Sequence, residues 1–167
     1  MEDVILLLGS NRGERLDFLK RAVQKLRVVS KAPVKISSIY ESEPWGFETE
    51  TWFLNMAISI YTDTSPEELL KFILDTERDL GRVRQTEISG YESREIDIDI
   101  IFFGTRVINT EELTVPHPKM HLRRFVLSPV CEISPDLYHP VLSEKVSILL
   151  DKCNDNSVVI KSCRTLE

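Results

Sequence analysis

The apolar positions of the chain recur with two different periods. Val4-Ile5-Leu6-Leu7-Leu8 is an unbroken run closed by Gly9, which predicts a buried strand. Gly9-Ser10-Asn11-Arg12-Gly13 predicts a turn. Leu16, Leu19, Ala22, Val23 and Leu26 then follow at helical spacing. Pro33 ends the connection, and residues 34–40 predict a strand whose alternation breaks near Ile39. Residues 43–52 hold Pro44, Gly46 and both tryptophans and predict a loop. Residues 53–62 alternate cleanly. Leu54, Met56, Ile58 and Ile60 share one face; Phe53, Asn55, Ala57, Ser59 and Tyr61 share the other. Thr64-Ser65-Pro66-Glu67-Glu68 joins a hydroxyl cap, a first-turn proline and two acids, so a helix should run to about Leu80 and stop at Gly81.

Residues 82–93 are polar and predict a loop. Residues 96–103 predict a strand, which Gly104-Thr105-Arg106 would turn into a hairpin with Val107-Ile108. Pro116 and Pro118 bracket His117 in another loop. Leu122, Phe125, Val126 and Val130 suit a helix that Pro129 limits or bends. A last helix over 143–150 and a short strand over 158–160 are weaker signals. The order strand, helix, strand, strand, helix, strand predicts an α+β fold with a ferredoxin-like βαββαβ core. Its antiparallel sheet would carry helices on one face, leave the other free for a site, and be followed by a C-terminal extension. There is no repeat or low-complexity linker, so residues 1–167 read as a single domain.

Composition is ordinary for a globular chain, at 42% hydrophobic and 29% charged. The 27 acidic against 21 basic residues give a net charge of −6, which argues against a general nucleic-acid binder. A local basic pocket remains open, since Arg82, Arg84 and Arg94 lie close in sequence and Arg123 and Arg124 are adjacent. The three cysteines fit no metal-ligand spacing and read as reduced thiols of a cytoplasmic protein. No apolar run reaches the ~18 residues of a membrane span. Met1-Glu2-Asp3 lacks the basic start of a signal peptide, and the chain reads as complete.

The sharpest chemical feature is Arg94-Glu95-Ile96-Asp97-Ile98-Asp99-Ile100-Ile101. On a strand, Asp97 and Asp99 project from one face, and Ile96, Ile98 and Ile100 from the other. Two carboxylates ~7 Å apart repel unless something positive lies between them. Oxygen donors suit Mg²⁺, which takes one or two carboxylates and fills its shell with water and substrate phosphates. A solvated acidic edge is the plainer reading of such a pair. Arg82, Arg84 and Arg94 precede the acids and suit phosphate oxygens, or are ordinary surface charge. His117, rigidly held, could also donate to a phosphate. Phe53 beside Asn55 could stack on and hydrogen-bond to a flat heterocycle, or belong to a strand packed on both sides. No P-loop, dinucleotide fingerprint, H-E-x-x-H or G-x-S-x-G is present.

Several segments coincide with one family. They are Leu8-Gly9-Ser10-Asn11, Tyr40-Glu41-Ser42-Glu43-Pro44-Trp45-Gly46, Phe53-Leu54-Asn55-Met56-Ala57, Gly81-Arg82-Val83-Arg84, Arg94 to Ile100, and Leu113-Thr114-Val115-Pro116-His117-Pro118. In order and spacing the chain resembles the 6-hydroxymethyl-7,8-dihydropterin pyrophosphokinases of folate biosynthesis over roughly residues 4–135. The resemblance implies transfer of the β,γ-pyrophosphoryl group of ATP to the hydroxymethyl oxygen of the pterin, with release of AMP. It implies that Asp97 and Asp99 hold two Mg²⁺ ions and that Arg82 and Arg94 join them in catalysis. Phe53 and Phe125 would stack on the pterin, and Asn55 with backbone near Ser42, Glu43, Pro44 and Trp45 would bind its edge. Arg82, Arg84, Arg94, His117 and Arg123 match phosphate- or ATP-contacting positions. Leu70, Glu77, Ile100 and Thr114 match an adenosine pocket. The loops at 43–52 and 82–93 would close over the site.

The chain departs from the family pattern at Gly90-Tyr91-Glu92-Ser93, where many members carry tryptophan-glycine-proline, and at Glu95 and Glu112. The rival readings are a non-catalytic nucleotide- or pterin-binding module on the same fold and an RNA-binding ferredoxin-like domain. The negative charge and the strand carboxylates disfavour the latter. With no heptad or large apolar stripe, a monomer is expected, with ATP and a reduced pterin as its partners and neither nucleic acid nor membrane.

Overall fold

The structure, a computed structural model, describes residues 1–44, 51–81 and 94–166. Its centre is the strand that the first apolar run predicts. β1 (Glu2–Ser10) lies between β4 (Phe53–Thr62) and β5 (Asp97–Phe103), antiparallel to both. β2 (Lys35–Ile36) and β3 (Tyr40–Ser42) pair with β4, and β10 (Val159–Lys161) pairs with β3. The sheet order is β10-β3-β4-β1-β5, with β2 also on β4. For the four core strands this is fourth, first, third, second, consistent with two interleaved βαβ units.

α1 (Arg15–Val29) and α2 (Pro66–Asp79) cover one face. Their Leu19, Val23, Leu26, Leu69 and Ile73 pack on Val4, Leu6 and Leu8 of β1, on the even-numbered face of β4, and on Ile98 and Ile100. α2 starts as its sequence predicts. Ser65 Oγ accepts from the Glu68 N–H, and the Glu68 carboxylate accepts from the Ser65 N–H.

The opposite face is not left free. A 3-10 turn (Met120–Leu122), α3 (Arg124–Ile133) and α4 (Val146–Lys152) close over half of it. Val126, Leu127, Val130, Val146 and Leu149 pack there against Ile5, Leu7, Ala57, Ile101 and Phe102. The molecule is therefore layered helix–sheet–helix, and the site occupies the end of the second face that α3 leaves open. Pro129 lies within α3 without ending it, and Leu122 belongs to the turn before it.

Three local expectations are corrected. The strand expected over 34–40 is two strands, because Ser37 folds its side chain onto the ladder. Its N–H donates to Ala57 O at 2.9 Å, while its Oγ accepts the Ala57 N–H at 2.9 Å, taking the place of a strand carbonyl. The hairpin expected after Gly104 does not form. β6 (Ile108–Asn109) pairs with β7 (Thr114–Val115) instead, in a separate two-stranded ribbon. The last helix starts at Val146, because residues 144–145 form β9, paired with β8 (Tyr138–His139).

β5 contains a bulge with consequences for the site. Leu6 opposes Ile100 and Ile5 opposes Phe102, so Ile101 is an extra residue. Ile101 and Phe102 consequently both face α3, and the Ile101 carbonyl accepts the His117 N–H at 3.0 Å.

Candidate active site

Strand parity builds the site. Asp97 and Asp99 emerge from β5 on the same side as Gly9 and Leu7 of β1 and Phe53 and Asn55 of β4. Together with Ser42, Glu43, Arg94, His117, Pro118, Lys119, Arg123 and Phe125 they line a cavity of about 310 Å³. Asp97 opposes Gly9 and Gly9 opposes Asn55, so acid, glycine and amide lie side by side across three strands. A side chain at Gly9 would fill this floor, since a Cβ there would lie 3.0 Å from Asn55 Oδ1.

Each wall has its own chemistry. Asn55 is buried, and its Nδ2 donates to Ser42 Oγ at 2.7 Å. That bond fixes the amide orientation and leaves Oδ1 at the cavity floor as an acceptor. Phe53 and Phe125 supply aromatic surface, and the Arg123 guanidinium carbon lies 5.8 Å from the Phe125 ring centroid. At the acidic end, Arg94 Nη1 donates to Asp97 Oδ2. The Arg94 backbone is itself held by Asn11, whose Oδ1 accepts the Arg94 N–H at 2.7 Å and whose N–H donates to the Arg94 carbonyl at 3.1 Å. Asn11 thus fastens Arg94 to the turn after β1.

The surroundings of Asp99 and His117 set their electrostatics. Burial, then repulsion from Asp97 and Glu77, pushes the Asp99 carboxyl up to about 7, against the attraction of Arg94 and Arg123. Such a group is suited to a cationic ligand. Burial, followed by the nearby Arg123 charge, lowers His117 to about 4, so its ring is neutral at physiological pH. His117 Nδ1 accepts the Lys119 N–H at 3.3 Å, which assigns the ring proton to Nε2 as a donor. Among the described residues no group of three or more histidine, cysteine or acidic side chains is placed to hold a metal. A divalent ion here would have two protein carboxylates and draw its other oxygens from water and substrate, as Mg²⁺ commonly does.

The cavity gathers Ser42, Glu43, Phe53, Asn55, Arg94, Asp97, Asp99, His117, Arg123 and Phe125 from the residues the sequence singles out. Pro44 follows directly and is half-buried. Trp45, Arg82 and Arg84 lie outside the described residues, as do the whole of the expected closing loop at 82–93 and residues 45–50 of the other. The remaining candidates surround β5 outside the cavity. Glu77 is buried on α2, with Oε1 accepting the Ile98 N–H at 2.8 Å. Leu70 packs against the core, the Ile100 side chain is buried in it, and Thr114 is exposed on β7. Sequence reasoning overlooks Leu7 and Lys119 as lining residues, and quotes Gly9 and Pro118 only within motifs, with no place in the site. Extending the β1 parity from Gly9 would have found Leu7, and Lys119 is the cation next to Pro116-His117-Pro118.

Comparison with known proteins matches the chain to one group. A model of the family described as 7,8-dihydro-6-hydroxymethylpterin-pyrophosphokinase matches residues 5–135. The 2-amino-4-hydroxy-6-hydroxymethyldihydropteridine pyrophosphokinase of Aquifex aeolicus is 40% identical over 84% of this chain and 86% of its own length. That of Bacillus subtilis is 44% identical over 77% of this chain and 75% of its own length. The folic acid synthesis protein fol1 of Pneumocystis carinii is 37% identical over 94% of this chain, which spans only 21% of that longer protein. A solved HPPK-DHPS chain in complex with substrates superposes with a TM-score of 0.70 over 90% of this chain and 43% of that one. At 12% identity this likeness supports the fold alone.

Proposed function

Because the chain belongs to the 7,8-dihydro-6-hydroxymethylpterin-pyrophosphokinase family, we propose that it transfers the β,γ-pyrophosphoryl group of ATP to the hydroxymethyl oxygen of 6-hydroxymethyl-7,8-dihydropterin. The hydroxyl loses its proton as its oxygen bonds to the β-phosphorus. The bond from that phosphorus to the α–β bridging oxygen breaks, and AMP leaves with the electron pair. The observation that carries this reading is the joining, in one cavity, of an aromatic and amide end with an acidic and cationic end.

The residues divide the work. Phe53 and Phe125 would hold the pterin ring by stacking, and Asn55 Oδ1 would accept from its N–H edge. Ser42 orients that amide, and Glu43, Pro44 and Trp45 complete the edge. Arg94, His117, Lys119 and Arg123 would bind the triphosphate, together with Arg82 and Arg84. The adenosine would lie along the outer edge of β5, near Leu70, Glu77 and Thr114; the buried side chain of Ile100 restricts its part to the backbone. Asp97 and Asp99 would hold two Mg²⁺ ions, which when bound neutralise phosphate charge and acidify the attacking hydroxyl. Pyrophosphoryl transfer then asks the protein mainly for positioning and charge balance. The proposed working form is a cytoplasmic monomer; no described helix is long and apolar enough to cross a membrane.

Nucleotide product analysis with ATP, Mg²⁺ and the pterin tests this reading. Pterin-dependent AMP is the expected product. ADP would make the protein a simple kinase. Binding of both ligands without turnover would make it a non-catalytic module. Asp97→Ala and Asp99→Ala should each abolish turnover, and wild-type turnover in either would remove the metal assignment.

A further inference from the structure

We propose that residues 153–161, which lie beyond the matched family region, form a strap that sets both walls of the cavity, and that Asp155 is its positioning residue. This inference rests on the pterin-binding reading of the cavity. α3 begins at Arg124, between the two cavity residues Arg123 and Phe125. The residue at its N-cap is Arg123, which makes no side-chain cap bond and, having no side-chain acceptor, cannot supply one. The cap comes from 31 positions away: Asp155 Oδ2 accepts the Arg124 N–H at 2.8 Å. A carboxylate is well suited to that place, where helix N–H groups converge.

The same segment also sorts the two adjacent arginines. Arg124 Nε donates to the Asp155 carbonyl at 3.0 Å and its Nη2 to the Cys153 carbonyl at 3.0 Å. Arg124 is therefore held on the strap while Arg123 lies on the cavity side, against Phe125. Asp155 is held in turn. Its Oδ1 accepts the Ser157 N–H at 2.9 Å and the Ser157 hydroxyl at 2.6 Å. Three residues on, the strap reaches the other wall. Val158 N–H donates to Glu43 Oε2 at 2.9 Å, and the Glu43 N–H donates to the Val158 carbonyl at 3.2 Å. Val159 then pairs with Ser42, whose hydroxyl holds Asn55. One short segment thus ties the Arg123–Phe125 wall to the Ser42–Glu43 wall, and the width between them depends on it. Functional side chains act only when such support fixes them.

The test compares Asp155→Ala and Asp155→Asn with wild type, well below their melting temperatures. It reads KM and kcat for the pterin and equilibrium pterin binding without turnover. Asp155→Ala should raise the pterin KM and Kd about tenfold, the equivalent of one charge-assisted contact, with kcat within about threefold. Asp155→Asn keeps an oxygen for the Arg124 N–H and should recover most of the loss. A folded Asp155→Ala protein with wild-type pterin Kd would overturn the proposal, as would equal loss in both variants. Should Asp155→Ala fail to fold, Ser157→Ala replaces it, with a smaller rise in pterin Kd expected and an unchanged Kd overturning the strap. The Kd measurement stands whether or not wild type releases AMP, so failure of the strap and failure of the activity are distinguishable.

Discussion

At the scale of single residues, the site depends on what Gly9 leaves out. A methyl group there would press on Asn55 Oδ1 at 3.0 Å and touch Phe53 at 3.8 Å. Asn55 cannot retreat without loosening its bond to Ser42. Gly9→Ala should therefore weaken pterin binding by about fivefold, from about 1 kcal/mol of overpacking, and leave binding of an ATP analogue unchanged; calorimetric titration of each ligand would show this. His117 gives a second prediction. An unfolded chain protonates this ring below about 6.5, whereas burial and then Arg123 hold it neutral down to about 4 in the fold. The stability tied to the neutral ring is complete above the first value and is lost as pH falls toward the second. Between pH 7 and pH 4.5, wild type should lose on the order of 2 kcal/mol more stability than His117→Gln, measured by urea unfolding. Equal losses would mean that the ring is solvated. The paired acids, Phe53 and Asn55 were legible in the sequence because strand parity alone places them on common faces. The tautomer of His117 and the orientation of Asn55 were not, because each depends on a single contact made across loops or strands.

The same distinction holds for whole elements. β4 and α2 were legible because each is long enough to show its period and α2 carries a complete cap. The bulge in β5 was not, because the run Ile100-Ile101-Phe102-Phe103 is apolar on both faces and carries no alternation to break. The place of α3 was hidden as well, since its polar anchors are distant in sequence. Its C-terminal end is held by Glu132, whose carboxylate accepts from Ser38 N–H at 3.2 Å, Ser38 Oγ at 2.8 Å, Tyr40 Oη at 2.8 Å and Lys161 Nζ at 3.0 Å. Burial pushes this carboxyl up, but the bonds from Ser38, Lys161 and Tyr40 together bring it below its ordinary range. The anchor is therefore complete above about pH 4.5 and fades as pH falls through the lowered value. Glu132→Ala should cost about 1–2 kcal/mol at pH 7, less than a fully buried charged pair because the carboxylate is partly solvated. The difference from wild type should shrink on acidification. A constant difference from pH 7 to pH 3 would show that packing, and not the carboxylate, holds the helix.

On the scale of the molecule, the net charge of −6 says little about the site, which collects Arg94, Lys119 and Arg123 alongside Asp97 and Asp99. The hydrophobic pattern is similarly uninformative beyond Leu137. A seven-residue helix and strands of two or three residues are too short to show a period. Yet these elements complete a core. Val146, Leu149 and Cys153 are buried against Phe102, Val126, Leu127 and Val130, on the face of the sheet opposite α1 and α2. A chain ending at residue 135, where the family match stops, would keep every strand of the βαββαβ unit and lose this cover. The central sheet would still have α1 and α2 on one side, while α3 would lose α4 behind it, Asp155 at its start and Lys161 at its end. Such a fragment should keep strand and helix content by far-ultraviolet circular dichroism but bind a hydrophobic dye and unfold over a broader urea range, as a loosely packed state does. Sharp, wild-type-like unfolding of residues 1–135 would mean that the first core suffices for cooperativity. In that case, the C-terminal segment would be an accessory to the cavity and not part of the folding unit.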